Sequence, residues 1–337
     1  MQAMVLTKQM PVDESPLTLA EIDTPRAGLG EVRVKVNVCA VCRTDLHIIE
    51  GDLEVHKVPV IPGHQIVGRV DETGAGVTRL RVGQRIGMGW LQHVDGTCRF
   101  CRRGRENLCR DSRYTGYDAD GGYAEYAVVP EDFAYELPEG PDDEHVSPLL
   151  CAGLIGYRAL ERAAVPEDGR LLLVGFGSSG HIVIQIALHR GLQIWVVTRN
   201  ENHIQLAREL GAAWAGSDFR DLPGKADGAI LFAPSGQLVP PTLEALDRGG
   251  VCSIAGIHLS DVPGLNYSRH LYQERELRSA TSNTREDVHA FLADAAEAHV
   301  QPRTAAYALS DANRALSDMK HSNTEGTPVL MIAASGG

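Results

Sequence analysis

Cys42-Arg-Thr-Asp-Leu-His47 places a thiol, a hydroxyl, a carboxylate and an imidazole in one short stretch. Gly63-His64-Gln65 follows once Pro59 and Pro62 have broken the chain, and Cys151 stands much further on. Cys42, His64 and Cys151 make a set of two thiolates and one imidazole. That is the ligand set of a catalytic zinc, which keeps its fourth position open. Cys98-x-x-Cys101-x7-Cys109 is a second cluster, in a stretch that also holds Gly96, Gly104 and basic residues. A structural zinc closes its shell with four ligands. Asp95, three residues before Cys98, offers a carboxylate of the same charge as a thiolate. The exchange alters softness and bite, which lowers the expected affinity. His93 or a water is the other way to fill the fourth place. Three reduced cysteines in an irregular surface loop is the reading without a metal.

Gly175-Phe-Gly177-Ser-Ser-Gly180 comes directly after the apolar run Leu171–Val174 and directly before a helical pattern. In that setting the glycines let the backbone approach a pyrophosphate at a helix N-terminus, which a plain tight turn does not require. The next strand ends at Thr198, 18 residues beyond Gly180. Near this place an Asp or Glu holds the ribose 2′-hydroxyl of NAD. Here the residues are Thr198-Arg199-Asn200. No carboxylate repels a 2′-phosphate, and a guanidinium fork pairs with one. The expectation is NADP(H) ahead of NAD(H). The alternative is a solvated Arg199 at a helix start, with NAD held by other groups.

Two kinds of scaffold must position these groups. Glu31–Val38 alternates polar and apolar residues at period two, the pattern of a half-buried strand. Gln65–Val77 has the same character, with a turn at Gly74 and Gly76. From Cys151 the texture changes. Helical patterns at Cys151–Val165, His181–Gly191, Glu201–Gly211 and Pro240–Gly250 alternate with strands at Leu171–Val174, Ile194–Thr198, Gly228–Phe232 and Val251–Gly256. That alternation specifies an α/β, doubly wound parallel sheet. After Thr284 the pattern is less regular.

The length of 337 residues suits two domains, or one large one. Composition is that of a globular protein with a sizeable core, and the net charge of −12 makes nucleic acid and anionic membranes poor partners. Seven cysteines are too few for a disulfide scaffold. The N-terminal MQAMVLTKQMPVDESP has no apolar signal core, and no apolar run reaches the roughly 18 residues of a membrane span. The C-terminal ASGG carries no lipid-anchor motif. A cytoplasmic protein with reduced thiols is expected, and there clustered cysteines bind metal or do chemistry.

VCRTDLH, GHQIVGRVDETG, the cysteine cluster, LLCAG and GFGSSG, in that order, resemble the signatures of the zinc-dependent alcohol dehydrogenases of the medium-chain dehydrogenase/reductase superfamily. The resemblance covers essentially the whole chain. It implies a GroES-like, β-rich catalytic domain from residues 1–150 and 285–337, with a Rossmann domain at 151–284. It also implies reversible hydride transfer between a small alcohol and a nicotinamide cofactor, two zincs per chain, and a homotetramer or dimer. The Cys₂His set is itself the one such enzymes are known for. By motif, Cys42, His64 and Cys151 match the catalytic zinc ligands. Thr44 matches the hydroxyl that bonds the substrate oxygen, and His47 matches the end of a proton relay. Arg43 and Arg285 match pyrophosphate contacts. Asp45 matches the carboxylate that orients the zinc-binding His64. Leu53 and Trp90 match walls of the substrate pocket, and Trp90 narrows it enough to put primary alcohols and aldehydes ahead of bulky secondary ones. Cys39 and Cys252 match no ligand position and read as small buried hydrophobes.

Two residues depart from the family pattern. Gln65 stands where the family has Glu, keeping the hydrogen-bonding shape without the charge. A slightly more electrophilic zinc follows. Asp95 is the other departure. Two rival readings remain, a zinc-free quinone or enone reductase and a nucleotide-binding protein without catalysis. Neither has a use for the combined zinc set and relay.

Overall fold

β1 (Glu31–Ala40) is the strand around which one unit of the molecule is built. In the computed structural model, which describes residues 1–137, 142–324 and 326–332, Val32, Val34, Val36 and Val38 are all buried. Arg33, Lys35 and Asn37 lie on the opposite face and are not, as period two requires. The C-terminal ASGG, with the expectation drawn from it, lies outside the described residues. One edge of β1 pairs antiparallel with β2 (Gln65–Thr73). The other pairs with Tyr126–Pro130 along its first half and with Thr327–Met331 at its end. Arg85–Met88, Ala134–Glu136 and Thr304–Ala308 complete a seven-stranded sheet. At the end of β1 the alternation stops. Cys39, Ala40 and Val41 are all buried, so the chain runs through the core and carries Cys42 with it.

There the chain forms α1 (Arg43–Glu50), a helix the pattern reading did not anticipate. The Cys42 amide donates to Asp45 Oδ2 at 2.9 Å, one half of a capping box. Gly51, at φ 91°, ends the helix in the left-handed conformation. Thr44 through Ile49 are all buried, so the helix shows no polar face from which a period could be read.

The second unit holds α2 (Ala152–Ala163), β3 (Arg170–Val174), α3 (Ser178–His189), β4 (Gln193–Val197) and α4 (Glu201–Glu209). Its parallel sheet runs in the order Trp214–Gly216, β4, β3, Ala226–Leu231, Leu246–Ile254, Glu276–Ser279. Leu171, Leu172 and Leu173 have no exposed surface, and each such side chain contributes about 1.5–3 kcal/mol. The order reverses direction at β3, and in such sheets ligands bind beyond the strand ends at that switch point.

Two boundaries differ from expectation. The helix expected over Pro240–Gly250 is shorter, Val239–Ala245, because Leu246 already pairs with Ala226 as the start of the next strand. The return to the first unit was expected at 285 but comes at Pro302: the units are Met1–Cys151 with Pro302–Gly337, and Ala152–Gln301. The reason is α5 (Arg285–Glu297), whose buried Phe291 lies 5.6 Å, ring to ring, from Tyr157 of α2. Arg158 of α2 also pairs with Asp287 of α5.

Candidate active site and metal centres

In the first unit, the start of α1, the loop ahead of β2 and the residue after the Ser147–Leu150 turn converge. Cys42 Sγ and Cys151 Sγ are 4.0 Å apart. One ligand atom from each of Cys42, His64 and Cys151 lies within 4.8 Å of the other two. Two sulfurs on one tetrahedral zinc, each at about 2.3 Å, stand about 3.8 Å apart. The pair is spaced for a shared ion and is far beyond a disulfide, about 2.05 Å. His64 has no exposed surface. Its Nδ1 lies 2.9 Å from Asp45 Oδ1, while its Nε2 is buried with no hydrogen-bond partner. Such an orphaned atom costs about 1–3 kcal/mol, which an ion between the sulfurs and the ring removes. The donor set therefore fits zinc.

Asp45 is fully buried and accepts four hydrogen bonds. They come from the amides of Cys42 (2.9 Å) and Gly63 (3.2 Å), from His64 Nδ1 (2.9 Å) and from the Tyr123 hydroxyl (3.0 Å). One carboxylate thus fixes a ligand-bearing helix, a ligand-bearing loop and the His64 ring. Gly63 is required where it stands: its φ is 94°, and a Cβ there would meet the Tyr123 ring at 2.3 Å.

The charges favour a cation. A hydrogen bond from Cys151 holds the Cys42 thiol well below its usual range, against the effect of burial. The same bond and burial push Cys151 up. Burial opposes a charged His64, but the Asp45 carboxylate and the Cys42 thiol outweigh it and carry the imidazole up to about 10. Zinc binds thiolate and neutral imidazole and releases such protons on binding.

A second group gathers one ligand atom each from Asp95, Cys98, Cys101 and Cys109, again within 4.8 Å of one another. His93 is not among them. Asp95 Oδ1 accepts the amides of Thr97 and Cys98, both at 2.7 Å. The Asp95 amide in turn points at Cys109 Sγ at 3.4 Å. The amide bonds hold the Asp95 carboxyl well below the usual carboxylate range, so it is an anion ready to ligate.

Trp90 meets the His64 ring edge-on at 4.8 Å between centroids. Tyr114 stacks on Trp90 at 4.8 Å and Tyr117 at 5.8 Å. The Tyr117 hydroxyl donates to Glu54 O at 2.5 Å. Leu53, half-buried, lies in the turn that follows α1. Tyr114, Tyr117 and Tyr123 were missed by the sequence reading, since an aromatic residue carries no spacing signal for a role in support. Cys39 and Cys252 are buried, as expected of bystanders.

In the second unit the three glycines divide the work. Gly175, at φ 89°, makes the turn, and a Cβ there would meet the Ala233 amide at 2.9 Å. Gly177 has nothing within 4 Å of where a Cβ would stand, open space for a phosphate to approach. At Gly180 a Cβ would meet the Phe176 ring at 3.1 Å, so its absence lets the helix close on the turn. This cradle fits a dinucleotide. Thr198 is buried at the end of β4, and Arg199 beside it is exposed and makes no ion pair among the described residues. Asn200 caps α4 by accepting the Asn202 amide at 2.9 Å, which leaves that cap independent of Arg199. Arg285 is the first residue of α5 and half-buried; Arg43 opens α1 and is exposed.

Residues 28–139 match the family model of the alcohol dehydrogenase GroES-like domain, and residues 180–297 match that of the zinc-binding dehydrogenases. A protein of Mycobacterium tuberculosis (strain CDC 1551 / Oshkosh) named "Probable alcohol dehydrogenase AdhA" is 51% identical, covering 98% of this chain and 97% of its own. This chain belongs to the alcohol dehydrogenases of the medium-chain dehydrogenase/reductase superfamily. An alcohol dehydrogenase of Geobacillus stearothermophilus is 32% identical over 95% of this chain and 97% of its own. The solved alcohol dehydrogenase of the archaeon Aeropyrum pernix superposes with a TM-score of 0.87 at 25% identity, over 98% of this chain and 100% of that one. The dehydrogenase is thus an oxidoreductase acting on alcohols, with its GroES-like and Rossmann parts as the sequence reading expected. Zinc and a nicotinamide cofactor go with that family. Among the described residues no helix is long and apolar enough to cross a membrane.

Proposed function

We propose a zinc-dependent dehydrogenase of small primary alcohols that works reversibly with NADP(H). The catalytic zinc sits at Cys42, His64 and Cys151, and a structural zinc sits at Asp95, Cys98, Cys101 and Cys109. The buried, unpartnered Nε2 of His64 beside two thiols is the observation that carries this reading. The ion supplies Lewis-acid stabilisation of negative charge on oxygen, and the nicotinamide accepts the hydride.

The chain's own residues handle position and protons. Thr44 and His47 stand three residues apart on α1 and so share a face. The Thr44 hydroxyl has no hydrogen-bond partner among the described residues, so it is available to the substrate hydroxyl. It receives that proton and hands it towards His47, an imidazole that can accept a proton at one ring nitrogen while the other donates. Asp45 keeps His64 in one tautomer. Gln65, buried at the start of β2, adds no charge beside the metal. Trp90, backed by Tyr114, forms a rigid wall that favours small primary alcohols, with Leu53 as a second wall. Gly175, Gly177 and Gly180 receive the pyrophosphate with Arg285, and Thr198 and Arg199 receive the ribose end. A cytoplasmic homo-oligomer, tetramer or dimer, completes the reading; the assembly is carried over from the family resemblance.

Two expectations follow. Initial rates with both cofactors should favour NADP over NAD by at least about tenfold, since a charged hydrogen bond to phosphate contributes roughly 1.5–3 kcal/mol. Arg199→Ala should remove most of that preference. A wild-type enzyme that prefers NAD would contradict the assignment of Arg199. Asp95→Ala should cost one zinc per chain and lower Tm by several degrees, while Asp95→Cys keeps the metal. Unchanged zinc content in the alanine variant would remove Asp95 from the ligand set.

A further inference from the structure

We infer that Asp52 is a positioning residue for proton release, holding His47 in the tautomer that takes up the substrate proton. The inference rests on the relay reading of Thr44 and His47. The His47 side chain is 10% exposed, and its Nδ1 lies 2.7 Å from Asp52 Oδ2. A carboxylate only accepts, so Nδ1 carries the hydrogen and Nε2 becomes the acceptor of the neutral ring. The Asp52 side chain is 45% exposed, so one end of this pair is buried at the helix and the other touches water.

The placement is built rather than incidental. Asp52 lies one residue past the Gly51 turn, between two anchored neighbours. The amides of Gly51 and Leu53 both donate to His47 O, at 3.2 and 3.1 Å. Gln9 Nε2 bonds Ile48 O at 2.5 Å and Leu53 O at 2.7 Å, tying the loop to the helix it leaves.

Neighbouring charges are engaged elsewhere or exposed to water. On α1, Asp45 is held by its four donors, and Glu50 accepts the Val12 amide and Lys320 Nζ, both at 2.9 Å. Arg43, at the far end of α1, is exposed. In the turn at Val12–Glu14, Asp13 accepts from Lys320 at 3.2 Å and His321 at 3.0 Å, and Glu14 is exposed. In the loop beyond, Glu54 is exposed and His56 Nδ1 lies 2.8 Å from Asp118.

The proton account balances. In alcohol oxidation the ring gains one proton at Nε2 and becomes an imidazolium facing the Asp52 carboxylate. It then gives one proton to bulk water and returns to the neutral ring, while the hydride leaves with the cofactor. Asp52 is unchanged at the end.

The test is kcat/KM for alcohol oxidation in Asp52→Asn, Asp52→Glu, His47→Gln and the His47→Gln/Asp52→Asn double variant, with cofactor affinity as the check on folding. Asp52→Asn should lose about tenfold or more, because an amide can offer N–H to Nδ1 and select the wrong tautomer. Asp52→Glu should recover most of the rate. The double variant should be no slower than His47→Gln alone, since Asp52 acts only through His47. Wild-type rates in Asp52→Asn beside an impaired His47→Gln, or additive losses in the double variant, would overturn the role of Asp52 alone. Wild-type rates in His47→Gln would overturn the relay, and this inference with it.

Discussion

Cys42→Ser should lower alcohol oxidation by about a thousandfold or more while the cofactor still binds. Serine has nearly the shape of cysteine, so the start of α1 and its bond from the Cys42 amide to Asp45 survive. What goes is a soft anion: a serine hydroxyl stays protonated at neutral pH and is a poor zinc ligand. The remaining donors, His64 and Cys151, cannot hold the metal tightly. Lewis-acid stabilisation is worth several kcal/mol, and each 1.4 kcal/mol is tenfold in rate. The glycine turn Gly175–Gly180 lies in the other unit and is untouched. Turnover and a cofactor titration on the same sample check both halves. Full activity in this variant would end the assignment of Cys42.

Thr44→Ala should lose about 10²–10⁴-fold in kcat/KM, the range for a positioned proton donor or acceptor. The residue is buried inside α1, where alanine is the better helix former, so stability should hold. Thr44→Ser should keep most of the rate because it keeps the hydroxyl. An alanine variant that matches wild type would remove Thr44 from the relay. A serine variant as slow as alanine would show that the methyl contact, and not the hydroxyl, is what matters.

Much of the site was legible because its chemistry needs rare residue types at fixed spacing. Cys42, Thr44, Asp45 and His47 sit in one short motif, and GFGSSG sits between a strand and a helix where few other ligands make sense. The two sheets were legible from periodicity: Val32 to Val38 at period two, Leu171 to Val174 as a continuous run. Other features depend on contacts between distant residues. α1 is buried from Thr44 to Ile49 and shows no amphipathic period there. Tyr123 bonds Asp45 from 78 residues away. α5 stays with the second unit because Phe291 packs near Gly153 and Tyr157, which no local pattern reveals. Leu246 leaves the expected helix because a neighbouring strand is there to pair with it. Asp52 is an ordinary surface aspartate until Gly51 turns it back onto His47.

The central claim is that one zinc at Cys42, His64 and Cys151 carries the alcohol chemistry. The direct measurement is zinc content against turnover of a simple primary alcohol, as the metal is withdrawn by a chelator and restored. Two zincs per chain are expected, with turnover lost as the catalytic one leaves and regained when zinc returns. Undiminished, cofactor-dependent alcohol oxidation by the metal-free chain would contradict it.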